Sequence, residues 1–174
     1  MGDKHQNLAL RRWSDMHGIS VVSMVDGKKI GTCDDFYFDP ATQQIPVFVV
    51  KTGLLGHKVL PIAQIKAIGA DAITTMGEDS LQPDKLASSP TLVAGHELHD
   101  YKIMSEGGAF LGNLGDIALD ITYPQETHVV GYEIPGGFLD QIINQHHTFA
   151  ANQVVRYGQD LMVITDAAAK ELHK

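Results

Sequence analysis

The feature that most constrains this chain is a recurrence. Gly27-Lys28-Lys29-Ile30-Gly31, followed by Asp35, Phe36, Phe38 and Asp39, returns as Gly108-Ala109-Phe110-Leu111-Gly112, followed by Asp116, Ile117, Leu119 and Asp120. Residue types and internal spacing are shared, so the chain reads as two copies of one building unit. The centre of that unit reads as a hairpin. Ile19 and Val21 precede a polar break at Asp26-Gly27-Lys28-Lys29, and an apolar, β-branched run before a glycine turn is a strand-and-hairpin signal. Gly27 can take the positive φ that such a turn demands. Ile30, Phe36 and Phe38 resume the apolar pattern on the far side. Gly31 interrupts that second strand, and a glycine there predicts a bulge, a sharp bend or a close backbone approach. Small barrels need such bends at their corners. Asp39-Pro40-Ala41-Thr42 closes the strand with turn residues.

The rest of the unit follows in short extended pieces. Ile45-Pro46-Val47-Phe48-Val49-Val50 is a near-continuous apolar run, which predicts a strand buried on both faces. Val59-Leu60-Pro61-Ile62 and Ala72-Ile73-Thr74-Thr75 are further strands, spaced as in a small barrel or sandwich. Upstream, Ser14 is placed to cap a single helical turn that Gly18 stops. Around residues 77–90 the composition turns to Gly, Ser, Asp and Pro, the chemistry of a linker. The second unit then repeats the first. Glu97-Leu98-His99-Asp100 matches Asp15-Met16-His17-Gly18, and residues 153–160 match residues 64–71. The expected organisation is all-β: copy 1 at 11–78, a linker at 79–91 and copy 2 at 92–166, each of about six strands with short helical turns in its loops. The second copy is longer, and its extra residues fall in the loops at 122–127 and 135–144. Residues 166–174 read as a short helix.

Composition narrows the function classes. Hydrophobic residues make up 44% of the 174, enough for a packed core. The formal charge of −8 opposes a nucleic-acid partner, which would need a basic face. No run approaches the roughly 20 apolar residues of a spanning helix, and the first residues lack the apolar stretch of a signal peptide. The single Cys33 cannot form an internal disulfide, which suits a cytoplasmic setting. Lying on the strand after Gly31, it reads as a half-buried, inert thiol.

Taken together, Gly-Lys-Lys-Ile-Gly at 27–31, the aspartates at 35 and 39, and the run from Val59-Leu60-Pro61-Ile62 to Gly69 resemble the PRC-barrel domain. Val130-Gly131-Tyr132-Glu133-Ile134 and Gly158-Gln159-Asp160 look like a second copy. The resemblance implies two tandem small β-barrels that serve as a protein-interaction module. The family includes the cytoplasmic domain of the photosynthetic reaction-centre H subunit and the C-terminal domain of a ribosome-maturation factor. It implies no catalytic residues and no cofactor.

The residues themselves point the same way. Asp35 and Asp39 lie four apart, as do Asp116 and Asp120, which on a strand means roughly 13 Å, too far for paired acid–base work. Turn and bulge hydrogen bonding at strand ends is the expected role. His96 and His99 are candidate metal ligands at helical i, i+3 spacing, without an evident third ligand. No nucleophile elbow, Walker loop or dinucleotide fingerprint is present. The expectation is therefore a non-enzyme that docks a protein partner or self-associates, with a ligand- or metal-binding cleft between the barrels as the alternative. The candidate contact residues are apolar. Phe138, Leu139, Ile142 and Ile143 form a one-face cluster in the inserted loop. Leu54 and Leu55 form a smaller version in copy 1, and Trp13 is either a lid or an anchor.

Overall fold

A computed structural model describes residues 9–135 and 146–172. In chain order it contains β1 (Leu10–Arg12), α1 (Trp13–Met16), β2 (Ser20–Ser23), β3 (Lys29–Phe38), β4 (Val47–Thr52), β5 (Gly56–Pro61), β6 (Ile65–Ile68) and β7 (Ala72–Thr75). There follow β8 (Val93–Ala94), α2 (Gly95–His99), β9 (Lys102–Ser105), β10 (Phe110–Asn113), β11 (Asp116–Asp120), β12 (His128–Pro135), β13 (His146–Ala150), β14 (Val154–Tyr157), β15 (Leu161–Ile164) and a helix, α3, at Asp166–Leu172. The fold is all-β, with short helices at its joints.

The strands form three sheets. One runs β5-β4-β3-β2-β7-β6, with β8 added on β3; the others run β1-β11-β12-β13 and β10-β9-β15-β14. The two halves of the chain make the same kinds of pairing. β2 runs antiparallel to β3 and parallel to β7; β9 runs antiparallel to β10 and parallel to β15. The antiparallel meander β3-β4-β5 has its parallel in β11-β12-β13. β10 and β11 together take the place of the long β3.

The glycine signals have a physical basis in both halves. Gly27 and Gly108 hold φ of 70° and 90° in the hairpin turns. Gly31 sits where the β2–β3 register shifts, and a Cβ there would lie 2.4 Å from Val50 Cγ1. Gly112 sits at the matching shift in β9–β10, and its Cβ would lie 2.8 Å from Ile134 Cγ2. Close approach of neighbouring chain, and not only bending, is what excludes a side chain at both places.

One buried cluster runs through the molecule. Phe36, Phe38, Phe48 and Leu60 belong to it, and so do Ile103, Ile117, Tyr132 and Met162. Phe38 meets Tyr157 edge-on at 5.5 Å, and the Tyr157 and Tyr132 hydroxyls lie 2.9 Å apart. β4 is buried along Val47–Val50 as its unbroken apolar run requires. Cys33 is fully buried, deeper than expected; burial, with Asp34 and Asp35 nearby, pushes its thiol up to about 12. A thiol held protonated in this way is unreactive.

The sheets do not respect the order of the chain. β1 leaves its own half and pairs with β11, while β8 pairs with β3. Ser14, expected as a helix cap, is not one: Arg12 holds the cap position and Ser14 lies inside α1.

Candidate functional site

α1 and α2 are too short to be stable alone, at four and five residues. Each is held by a carboxylate from the other half. Asp116, at the head of β11, accepts hydrogen bonds from the Ser14 amide at 3.2 Å and from the Ser14 hydroxyl. Asp35, on β3, accepts from the His96 amide at 3.2 Å and pairs with His96 Nδ1. Both aspartates also accept from the next amide of their own strand, Phe36 for Asp35 and Ile117 for Asp116. The strand register slips beside Asp35, between it and Cys33. Each carboxylate thus does the work of an N-cap from a distance. Asp39 and Asp120, at the strand ends, accept from Ala41 and Thr122 two residues on, which are turn bonds of the expected kind.

Between the two helices lies an open cleft of about 550 Å³, lined by Trp13, Ser14 and His17 on one side and Gly95, His96, His99 and Asp100 on the other, with Asp34, Asp35, Gly115 and Asp116 beneath. Trp13 is half-buried and forms one wall. Its indole meets Phe36 edge-on at 4.8 Å and stacks over Phe48 at 6.3 Å. The indole thus packs on Phe36 and Phe48 and also lines the cleft. Asp34 faces two imidazoles, His57 at 3.1 Å and His17 at 3.6 Å. The hydrogen bond to Asp35 raises the His96 pKa, against a smaller opposing effect of burial, with the charges of Asp35, Glu97 and Asp100 adding to it.

The metal candidates His96 and His99 do reach one cleft, but His96 is engaged by Asp35. Among the described residues, no group of three or more His, Cys, Asp or Glu side chains is placed to hold a metal ion. Sequence reading missed Ser14, Asp34, Asp35 and Asp116 as cleft residues. The available signal was that Asp35 and Asp116 hold matching places in the recurrence, just as His17 and His99 do.

The apolar candidates separate. Leu54 and Leu55 stand at the tip of the β4–β5 hairpin, 92% and 94% exposed. Gly53, at φ 62°, makes the turn that presents them. Phe138, Leu139, Ile142 and Ile143 lie outside the described residues. A second exposed apolar group was not foreseen: Met24, Val25 and Met76 come together where the chain continues past β2 and β7, with Val25 donating to the Met76 carbonyl. No helix among the described residues is long and apolar enough to cross a membrane.

No curated protein matches the chain by sequence. Residues 10–82, which hold β1 through β7, match the PRC-barrel domain.

Proposed function

We propose that this chain is a non-enzymatic protein-interaction module built of two tandem PRC-type units, and that the tip of the β4–β5 hairpin is a docking element. The domain matched by residues 10–82 favours an interaction role in general. The equivalent pairings of β9 to β15 favour a second unit of the same kind. The observation that carries the docking reading is the exposure of Leu54 and Leu55, adjacent and almost wholly in water. Two leucines held out at the tip of a paired hairpin, beyond the six-residue register from Val47–Pro61 to Thr52–Gly56, offer an apolar contact to a partner. The geometry of Asp35 and Asp116 favours a structural over a catalytic role, since each commits one oxygen to two backbone amides and the other to a side chain, His96 for Asp35 and Ser14 for Asp116.

The test is a Leu54→Glu, Leu55→Glu double variant. The chain is used to capture partners from an extract of its native host, and binding of each captured protein is then measured with purified components. The variant is expected to keep its fold and lose at least tenfold in affinity for the specific partner. A variant that binds the same partner equally well would remove the hairpin from the interaction.

The second reading, a small-ligand site, is favoured by the cleft of about 550 Å³ with an aromatic wall. Ligand-shift melting against a chemical library checks it: a hit whose stabilisation is lost in Trp13→Ala supports the cleft, and a hit indifferent to that change places the ligand elsewhere.

A further inference from the structure

The contact between the two halves has a symmetry that an ordinary interdomain contact lacks. Arg11↔Leu119 and Arg12↔Ala118 join β1 to β11; Val93↔Phe38 and Ala94↔Tyr37 join β8 to β3. Phe38 and Leu119 are counterparts in the recurrence, as are Tyr37 and Ala118. Each half therefore lends the strand before its first helix to the same place on the other half. The helix caps are exchanged in the same sense: Asp116 holds Ser14, and Asp35 holds His96. Two glutamines also cross the joint, Gln43 donating to the Ala151 carbonyl and Gln125 to the Ile65 carbonyl, although these two bonds are not counterparts of one another.

The decisive contact is a bridge between Gln44 and His128. Phe36 faces Phe48 across β3–β4, and its counterpart Ile117 faces Tyr132 across β11–β12. Counting back equally from Phe48 and Tyr132 reaches Gln44 and His128, so these two are also counterparts. Around them the Ile45 amide donates to the Thr127 carbonyl at 3.3 Å, and the Val129 amide donates to the Gln43 carbonyl at 2.9 Å. A residue meets its own counterpart only on a two-fold axis, and a patch that pairs with itself is the mark of an isologous dimer interface.

We infer that the joint between the halves is a strand-exchanged dimer interface carried within one chain, and that the partner this face takes is another half of the same kind. The inference rests on reading the chain as two copies of one unit. The linker then supplies effective concentration between the halves, while its own contacts, Gln82 bridging Val59 and Asp84 accepting from the Tyr37 hydroxyl, are made to the first half.

The test uses the full chain with a protease site inserted between Ala87 and Ser88, both exposed. The folded protein is cut and followed by native mass spectrometry. The two fragments are expected to remain a one-to-one complex at roughly micromolar concentration, and unlabelled and isotopically heavy cut samples are expected to form mixed pairs after co-refolding. Asp116→Ala in the cut protein should weaken the pairing by roughly fivefold, the worth of one lost cap. Ser14→Ala, which removes one bond of the same clasp, serves where Asp116→Ala unsettles the intact chain. Fragments that part into separate folded particles, or a pairing strength indifferent to both changes, would overturn the inference. Neither outcome touches the hairpin proposal, because Leu54→Glu, Leu55→Glu is expected to leave the cut complex intact.

Discussion

Asp35 and Asp116 show how one residue can serve two elements far apart in sequence. Each satisfies an amide of its own strand and an amide at the start of a helix in the other half. Replacing either by Ala is expected to cost about 1 kcal/mol, the usual worth of an N-cap, read from the urea midpoint at unchanged slope. His96 adds a pH dependence. Its pKa is raised in the folded state, so its pairing with Asp35 stabilises fully below the unfolded value and fades as pH rises through the folded one. Because the imidazole is 73% exposed, screening keeps this contribution to a few tenths of a kcal/mol. Titration by NMR should find the His96 ring titrating above the ordinary histidine range, and returning to it in Asp35→Asn. Gly31→Ala belongs at the same scale. Its Cβ would press on Val50 Cγ1 and, at 2.8 Å, on the Lys51 carbonyl oxygen, which cannot swing away. A loss of about 1–3 kcal/mol is expected on chemical denaturation.

Among the elements, hairpins and buried strands were legible in the sequence, because their signals are local. Gly27 before an apolar run, and the unbroken run from Val47 to Val50, each require one kind of backbone whatever surrounds them. The short helices were legible as elements but not in their caps. Ser14 looks like a cap by its own chemistry, yet the carboxylate that holds its helix arrives from β11. The β4–β5 hairpin is where sequence and exposure agree best: Leu54 and Leu55 were suspected as contact residues, and they stand in water. Their replacement by Glu should shift the thermal midpoint little, within about 0.5 kcal/mol, since they bury nothing in the folded chain. Calorimetry on the double variant measures this independently of any partner. The cleft was not legible: Trp13, Ser14, Asp35, Asp116, His96 and His99 each stood out singly, but its walls come from four separate stretches that nothing in the sequence brings together.

The whole molecule is bound by the core and by the exchanged strands. Phe38 and Tyr157 touch across the halves, and the buried cluster is continuous through both. Thermal unfolding is therefore expected as a single cooperative transition, with near- and far-ultraviolet circular dichroism coinciding; two separated transitions would mean that the halves fold independently. Phe38→Ala should cost about 3–5 kcal/mol, and lower both signals together. The sequence by itself determined the all-β class, the hairpins and the places of the glycines, because turn geometry and strand burial are set by neighbours in the chain. Only the tertiary structure decided which sheet β1 and β8 would join, and that Asp35 and Asp116 would reach across to the opposite helix. An edge strand of two or three residues carries too little pattern to name its partner; the partner is chosen by whichever open backbone edge the folded halves bring within hydrogen-bonding distance.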